Sequence, residues 1–278
     1  MTAAVVTGTP RLKSAADAAL RSAAGLWLAA ALAGQWAFFS YIAAFYGPST
    51  FSGHFEAWRR NTMLIKGYVP GDAAGNLTFG AHALLAGIIA FGGALQLIPQ
   101  IRRRAPAFHR WNGRLFAATA SGLAVSGLYL LWVRHANSSL AGSLAITFNA
   151  ALILAFVALA WRTARARQFE AHRRWAMRLY LVSNAQWFTR VGVFAWIIVQ
   201  GGRPAGLDAF FSAWQWGCYL APLAVLELYL RSQDSARQGA RLAMAAGLVA
   251  ATVLMAVGSF GFTLFAQHLV SGAALPKL

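Results

Sequence analysis

Acidic residues and cysteine are the scarcest chemistry in this chain. Seven Asp and Glu stand against 24 Lys and Arg. Carboxylate-based proton or metal chemistry therefore has little to draw on, and no acid-rich metal motif occurs. The one cysteine, Cys218, lies inside an apolar run. That excludes an intramolecular disulfide and any metal site built on several thiolates. The plain reading of Cys218 is a small buried residue within a span. A glycine-rich phosphate loop and a His-Glu-x-x-His zinc motif are also absent. Charged residues of all kinds make up 11% of the chain, where an ordinary soluble domain carries roughly a quarter.

What the chain has instead is apolar surface. Hydrophobic residues make up 59% of 278, more than a water-soluble fold of this length can hide, so lipid must solvate part of it. A bilayer core needs about 20 apolar residues in helical conformation. Runs of that kind lie near 22–46, 77–100, 114–134, 140–162, 176–199, 210–230 and 241–268. Because a backbone in lipid must satisfy its own hydrogen bonds, each run is expected to be helical. The expectation is an all-α, polytopic transmembrane bundle of about seven spans forming one domain over 1–278. The last run is long enough to tilt or to project past the membrane. Arg11, Lys13 and Arg21 followed by Ala23–Ala33 imitate a signal peptide. The apolar run continues through Phe45, too far for a signal core, so an uncleaved first span is expected.

The net charge of +17 does not read as a nucleic-acid signature, because the basic residues cluster in short loops between apolar runs. Seventeen fall on one side: Arg11, Lys13, Arg21; Arg102–Arg104, Arg110, Arg114; Arg162, Arg165, Arg167, Arg173, Arg174, Arg178; and Arg231, Arg237, Arg241. Six fall on the other: Arg59, Arg60, Lys66, Arg134, Arg203 and Lys277. The positive-inside rule then predicts a cytoplasmic amino terminus and an outer carboxyl terminus, in a multi-pass protein of the bacterial plasma membrane. Trp132, Trp196 and Trp214 on the outer side, and Trp111, Trp161 and Trp175 on the inner, fall where an aromatic belt belongs. In the long outer loop, Phe51, Phe55 and Trp58 recur at helical spacing, which predicts a short helix within 51–66 lying on the outer surface.

Arg190 is the one Lys or Arg well inside a predicted span, and no acid lies at its depth. An intramembrane ionisable residue is a functional-site hypothesis by default. Ser183, Gln186 and Arg190 share a helical face. His82 in the second span and Asn149 in the fourth have similar depth. Together, His82, Asn149, Gln186 and Arg190 outline an outer-half pocket for an anionic group: a haem propionate, a quinone oxygen or a carboxylate. An internal network that pins the helices is the competing reading. His135 and His268 at the outer rim are candidates to complete a metal site with His82.

Two basic segments are alike: His109-Arg110-Trp111-Asn112-Gly113-Arg114-Leu115-Phe116 and His172-Arg173-Arg174-Trp175-Ala176-Met177-Arg178-Leu179-Tyr180. Their mechanical reading is anchorage at headgroups. Their functional reading is that His109 and His172 converge to hold a metal or haem, or to relay protons.

These segments, with His82 and Gln96-Leu97-Ile98-Pro99, also carry a family resemblance. Residues 76–200 resemble a bacterial family of integral "predicted membrane proteins" catalogued as a domain of unknown function. The resemblance implies several spans and recurrent histidines, and it brings no agreed activity. Three functions are therefore expected to compete. One is a b-type haem protein transferring electrons, with His82, His109, His172 and Arg190 as cofactor candidates and quinone as a partner. Another is a binder or transporter of a small anionic or amphipathic molecule at Asn149, Gln186 and Arg190. The third is a non-catalytic accessory membrane protein.

Overall fold

The computed structural model describes residues 15–61, 67–136, 139–202 and 205–272. Arg11, Lys13, Lys66, Arg203 and Lys277 of the charge count lie outside the described residues. Among the described residues there is no strand. Nine α-helices follow one another: α1 (Ala15–Ser52), α2 (Ala73–Leu97), α3 (Pro99–Arg104), α4 (Pro106–Trp132), α5 (Leu140–Arg165), α6 (Phe169–Ser183), α7 (Ala185–Val199), α8 (Leu207–Asp234) and α9 (Gln238–Ser271). The chain is an all-helical membrane bundle. Helices α1, α2, α4, α5 and α9 are each long and apolar enough to cross a bilayer. α7 is apolar but short.

Helix α1 has 38 residues, roughly 57 Å at 1.5 Å per residue. α9 has 34. Both exceed the ~30 Å hydrocarbon core. They pack side by side in the same direction. Asp17 meets Arg241, Gly34 abuts Ser259, and Phe38 stacks edge-on against Phe262. The sequence offset between partners stays at 224 or 225 along the pair, so the two rods run parallel with little crossing. α1 buries Phe38, Tyr41, Ile42 and Phe45, a spacing of three and four that puts one stripe on the core.

The predicted fifth span, 176–199, is two helices and not one. Asn184 interrupts it, lying between α6 and α7. Its side-chain Nδ2 donates to the Tyr180 carbonyl at 2.8 Å. That carbonyl thus takes a side-chain donor of the kind that competes with the helical ladder, and the rod bends there. The two pieces differ in character: α6 carries the arginines, and α7 is apolar around Arg190. This rod is the centre of the bundle. α6 packs on α2, α5 and α8, and α7 on α8 and α9. Ten of the fifteen residues of α7 are buried. At Gly258 of α9 an added Cβ would collide with the Val191 backbone carbonyl, so only glycine permits this approach of α9 to α7.

Ion pairs tie the arginine-rich end. Arg178 forks onto Glu227 at 2.7 and 2.9 Å, joining α6 to α8. Arg174 reaches Asp234, and Arg241 reaches Asp17.

The helix expected on the outer surface within 51–66 is a 3-10 turn at Phe55–Arg60. Phe51 belongs instead to the end of α1 and is exposed. Residues 62–66 lie outside the described residues. The turn does not merely lie on the surface. Trp58 is 1% exposed and packs against Tyr46, Phe55 and Phe79. An indole offers enough apolar area to hold the turn against α1 and α2.

Candidate functional site: a buried arginine without a counter-ion

Three of the residues expected to share a pocket do share one. A cavity of about 50 Å³ is lined by Phe38, Ile42 and Tyr46 of α1, by Phe79, His82, Ala83 and Ala86 of α2, and by Gln186 and Arg190 of α7. It lies beside the bend at Asn184, on the central rod. Asn149 is not part of it. Its Nδ2 donates to the Val182 carbonyl at 3.2 Å, which pins α5 to α6. Equal depth in the sequence did not mean equal direction.

Arg190 is 6% exposed. Its Nη1 donates to the Gln186 carbonyl at 2.7 Å and faces the Gln186 side-chain oxygen at 3.3 Å. The guanidinium lies over the ring of Phe38 at 4.9 Å and near that of Phe262 at 6.0 Å. Aromatic faces carry partial negative charge and stabilise a cation modestly. Nε is buried and has no hydrogen-bond partner among the described residues. No carboxylate among the described residues pairs with Arg190; every recorded acid–arginine bridge involves other arginines. The site is therefore a desolvated cation held by dipoles and rings, with hydrogen-bonding capacity left over.

Across the cavity, His82 Nδ1 lies 2.9 Å from Ser126 Oγ of α4. The serine hydroxyl donates to the Gly122 carbonyl at 2.7 Å. The serine oxygen is thus left to accept, so the assignment that fits is Nδ1–H donating to it, with the lone pair on Nε2. Toward the 3-10 turn, Tyr46 continues the polar wall. Asn61 Nδ2 donates to Tyr46 at 2.9 Å and to Tyr41 at 3.2 Å, and both phenols are buried. Sequence reading missed Tyr41, Tyr46 and Asn61. Their signal was faint: two tyrosines inside an apolar run, and an asparagine in a loop 15 residues further on.

A second arginine near this end has the opposite environment. The Arg134 side chain is 7% exposed and bonded on all sides. Nε donates to Asp72 at 2.8 Å, Nη1 to the Gly67 carbonyl at 3.0 Å, and Nη2 to Asn76 Oδ1. Asp72 also caps α2 by accepting from the Gly75 amide. The guanidinium beside it holds the Asp72 carboxyl below the usual carboxylate range.

The other histidines separate. His109 and His172 start α4 and α6 at the arginine-rich end, close enough for their charges to act on each other. His172 Nδ1 is spent on the Ala160 carbonyl at 2.9 Å, while His109 Nδ1 is buried without a partner among the described residues. The proposed trio of His82, His135 and His268 is not assembled. Among the described residues, no group of three or more His, Cys, Asp or Glu is placed to hold a metal ion. His82 is turned to Ser126, whereas His135 and His268 sit at the ends of α4 and α9.

Fold and site together define a helical integral membrane protein with an uncompensated cation in its core. The chain belongs to the family described as "Predicted membrane protein (DUF2306)", whose model matches residues 79–230. The match runs from α2 through most of α8. The two longest helices, α1 and α9, flank it and supply the rings over Arg190. No curated protein and no solved structure matches the chain.

Proposed function

We propose that this protein binds the anionic head of a small amphipathic molecule at Arg190, within a multi-pass protein of the bacterial plasma membrane whose arginine-rich end faces the cytoplasm. The observation that carries this reading is the buried guanidinium of Arg190. It has no carboxylate partner among the described residues, and it borders a cavity that also presents His82 and Gln186. A charge in such a setting is costly unless a counter-charge arrives. Each ordered water needs on the order of 10–15 Å³, so 50 Å³ takes a few waters or one carboxylate head. Phe38, Ile42 and Ala86 line the same cavity, so the carbon next to the anionic head meets apolar wall. In this arrangement Arg190 supplies charge and orientation. Gln186 holds Arg190 in place, and His82 Nε2 accepts from a water or hydroxyl beside the anion.

Octanoate serves as the probe and octanol as its uncharged match, titrated calorimetrically into the protein in neutral detergent. Octanoate is expected to bind more tightly than octanol. Arg190→Gln is expected to weaken octanoate at least tenfold and leave octanol unchanged. Equal affinity for the two probes, or an unaffected Arg190→Gln variant, would sink the reading in favour of an accessory protein whose polar core only pins helices.

Haem b, with electron exchange to quinone, is the second reading, and the free Nε2 of His82 favours it. Two observations weigh against it. The cavity is far below the several hundred cubic ångströms of a cofactor-sized pocket, and its lining holds one histidine. A visible spectrum after growth with ample haem decides between them. An α band on dithionite reduction that weakens in His82→Ala would restore the cytochrome, whereas a colourless protein would remove it.

A further inference from the structure

The arginine-rich end is not uniform, and the way its few acids are spent divides it. Four carboxylates lie there: Asp17, Glu170, Glu227 and Asp234. Asp17 pairs with Arg241, Glu227 with Arg178, Asp234 with Arg174, and Glu170 with both Arg173 and Arg174. Every one of these partners lies on α6 or α9. No acid among the described residues reaches the arginines of the neighbouring sector. There α3 contributes Arg102, Arg103 and Arg104, and α4 contributes Arg110 and Arg114. Arg162 and Arg165 end α5, with Arg167 in the turn that follows. All eight are exposed.

These eight cations stand on successive packed helices. α3 packs on the start of α4, and α4 packs against α5. Arg102, Arg110 and His172 stand close enough to His109 for their charges to act on it. The same sector exposes the aromatic side chains of Phe108, Trp111 and Trp161. Arg114 lies over the Trp111 ring at 4.7 Å. Exposed Trp beside arginine marks the depth of lipid headgroups, and clustered arginines there attract anionic lipid.

We propose that the sector formed by α3, the start of α4 and the end of α5 is a docking surface for the phosphate headgroups of anionic phospholipid. The opposite side, where Arg173, Arg174, Arg178 and Arg241 are paired with acids and only the scattered Arg21, Arg231 and Arg237 are left exposed, is not. Arginine suits this task because its planar fork matches phosphate oxygens two at a time. The inference is independent of the Arg190 pocket, which lies deeper and on other helices.

The test uses the full chain in vesicles of phosphatidylcholine mixed with brominated phosphatidylglycerol. Quenching of tryptophan fluorescence gives the preference for the anionic lipid. Two triple variants remove charge from the proposed surface: Arg102→Gln/Arg103→Gln/Arg104→Gln and Arg162→Gln/Arg165→Gln/Arg167→Gln. The control, Arg21→Gln/Arg231→Gln/Arg237→Gln, removes the same charge from exposed arginines of α1, α8 and the start of α9. The preference is expected to fall about tenfold in each of the first two and less than twofold in the control. It is also expected to weaken as salt rises, because screening shortens the reach of the surface charge. Three results would overturn the proposal. One is a wild-type protein with no preference. Another is a control that loses as much as the test variants, which would mean diffuse charge only. The third is inorganic phosphate competing away the preference at matched ionic strength, which would mean a site for free phosphate. Unchanged elution and circular dichroism of each variant verify that the fold survives.

Discussion

Arg134 and Arg190 both withdraw their side chains from solvent: the Arg134 side chain is 7% exposed, and Arg190 as a whole is 6% exposed. They live in opposite electrostatic worlds. Arg134 is bound by a carboxylate, an amide oxygen and a backbone carbonyl. Arg190 has one carbonyl, one long contact to an amide oxygen, and two rings. The first is a finished clasp joining the segment before α2 to the end of α4, and nothing is left for a ligand to do there. The second is unfinished. Burial alone therefore does not mark a functional arginine, whereas burial without a counter-ion does.

Breaking the clasp should have the largest effect on stability. Arg134→Ala removes three interactions and leaves Asp72 without its counter-ion, and should lower the thermal midpoint by roughly 5–10 °C. Arg190→Met, similar in length and uncharged, should leave that midpoint within about 3 °C or raise it, since replacing an unpaired buried charge is often neutral or stabilising. Thermal unfolding of both variants in one detergent checks the contrast. If Arg190→Met destabilised as much as Arg134→Ala, the distinction between clasp and site would collapse.

Acid should sharpen the same comparison. The Asp72 carboxyl titrates lower in the folded protein than when unfolded. Its stabilising contribution is thus fully present above the ordinary carboxylate range, and it fades as pH falls through the depressed folded value. The thermal midpoint of the wild type should lose an increment on acidification below the ordinary range. Asp72→Asn should start lower and lack that increment. A wild-type and variant pair with parallel pH profiles would show that the clasp is not ionic.

The smallest effect is expected at Asn149. Asn149→Ala loses one hydrogen bond to the Val182 carbonyl, costing about 0.5–1.5 kcal/mol. Octanoate binding should be unchanged, because the side chain lies outside the cavity. A loss of binding comparable with Arg190→Gln would return Asn149 to the pocket.

Much of this was legible in the chain itself. The apolar runs appear as helices because lipid leaves the backbone no alternative. Arg190 stood out because no acid shares its depth, and Gln186 because it lies one turn before it. The bend at Asn184 was not legible, since one polar residue in an apolar run reads equally as a helix interior. Asn149 was misplaced for a related reason. Sequence spacing gives depth along a span, but not which neighbour the side chain meets. Tyr46 and Phe38 were invisible as pocket walls, because they reach the cavity only through the packing of α1 against the central rod.

By itself, then, the sequence determined a helical membrane protein with one strongly basic end and a lone cation in its core. Composition and the solvation of the backbone compel those features whatever the packing. Only the tertiary structure decided which arginine is satisfied and which is not. The partners of Arg134 lie 58 to 67 residues away in the chain, and the rings over Arg190 come from α1 and α9. Pairing over such separations is set by how helices pack, and no local pattern encodes it.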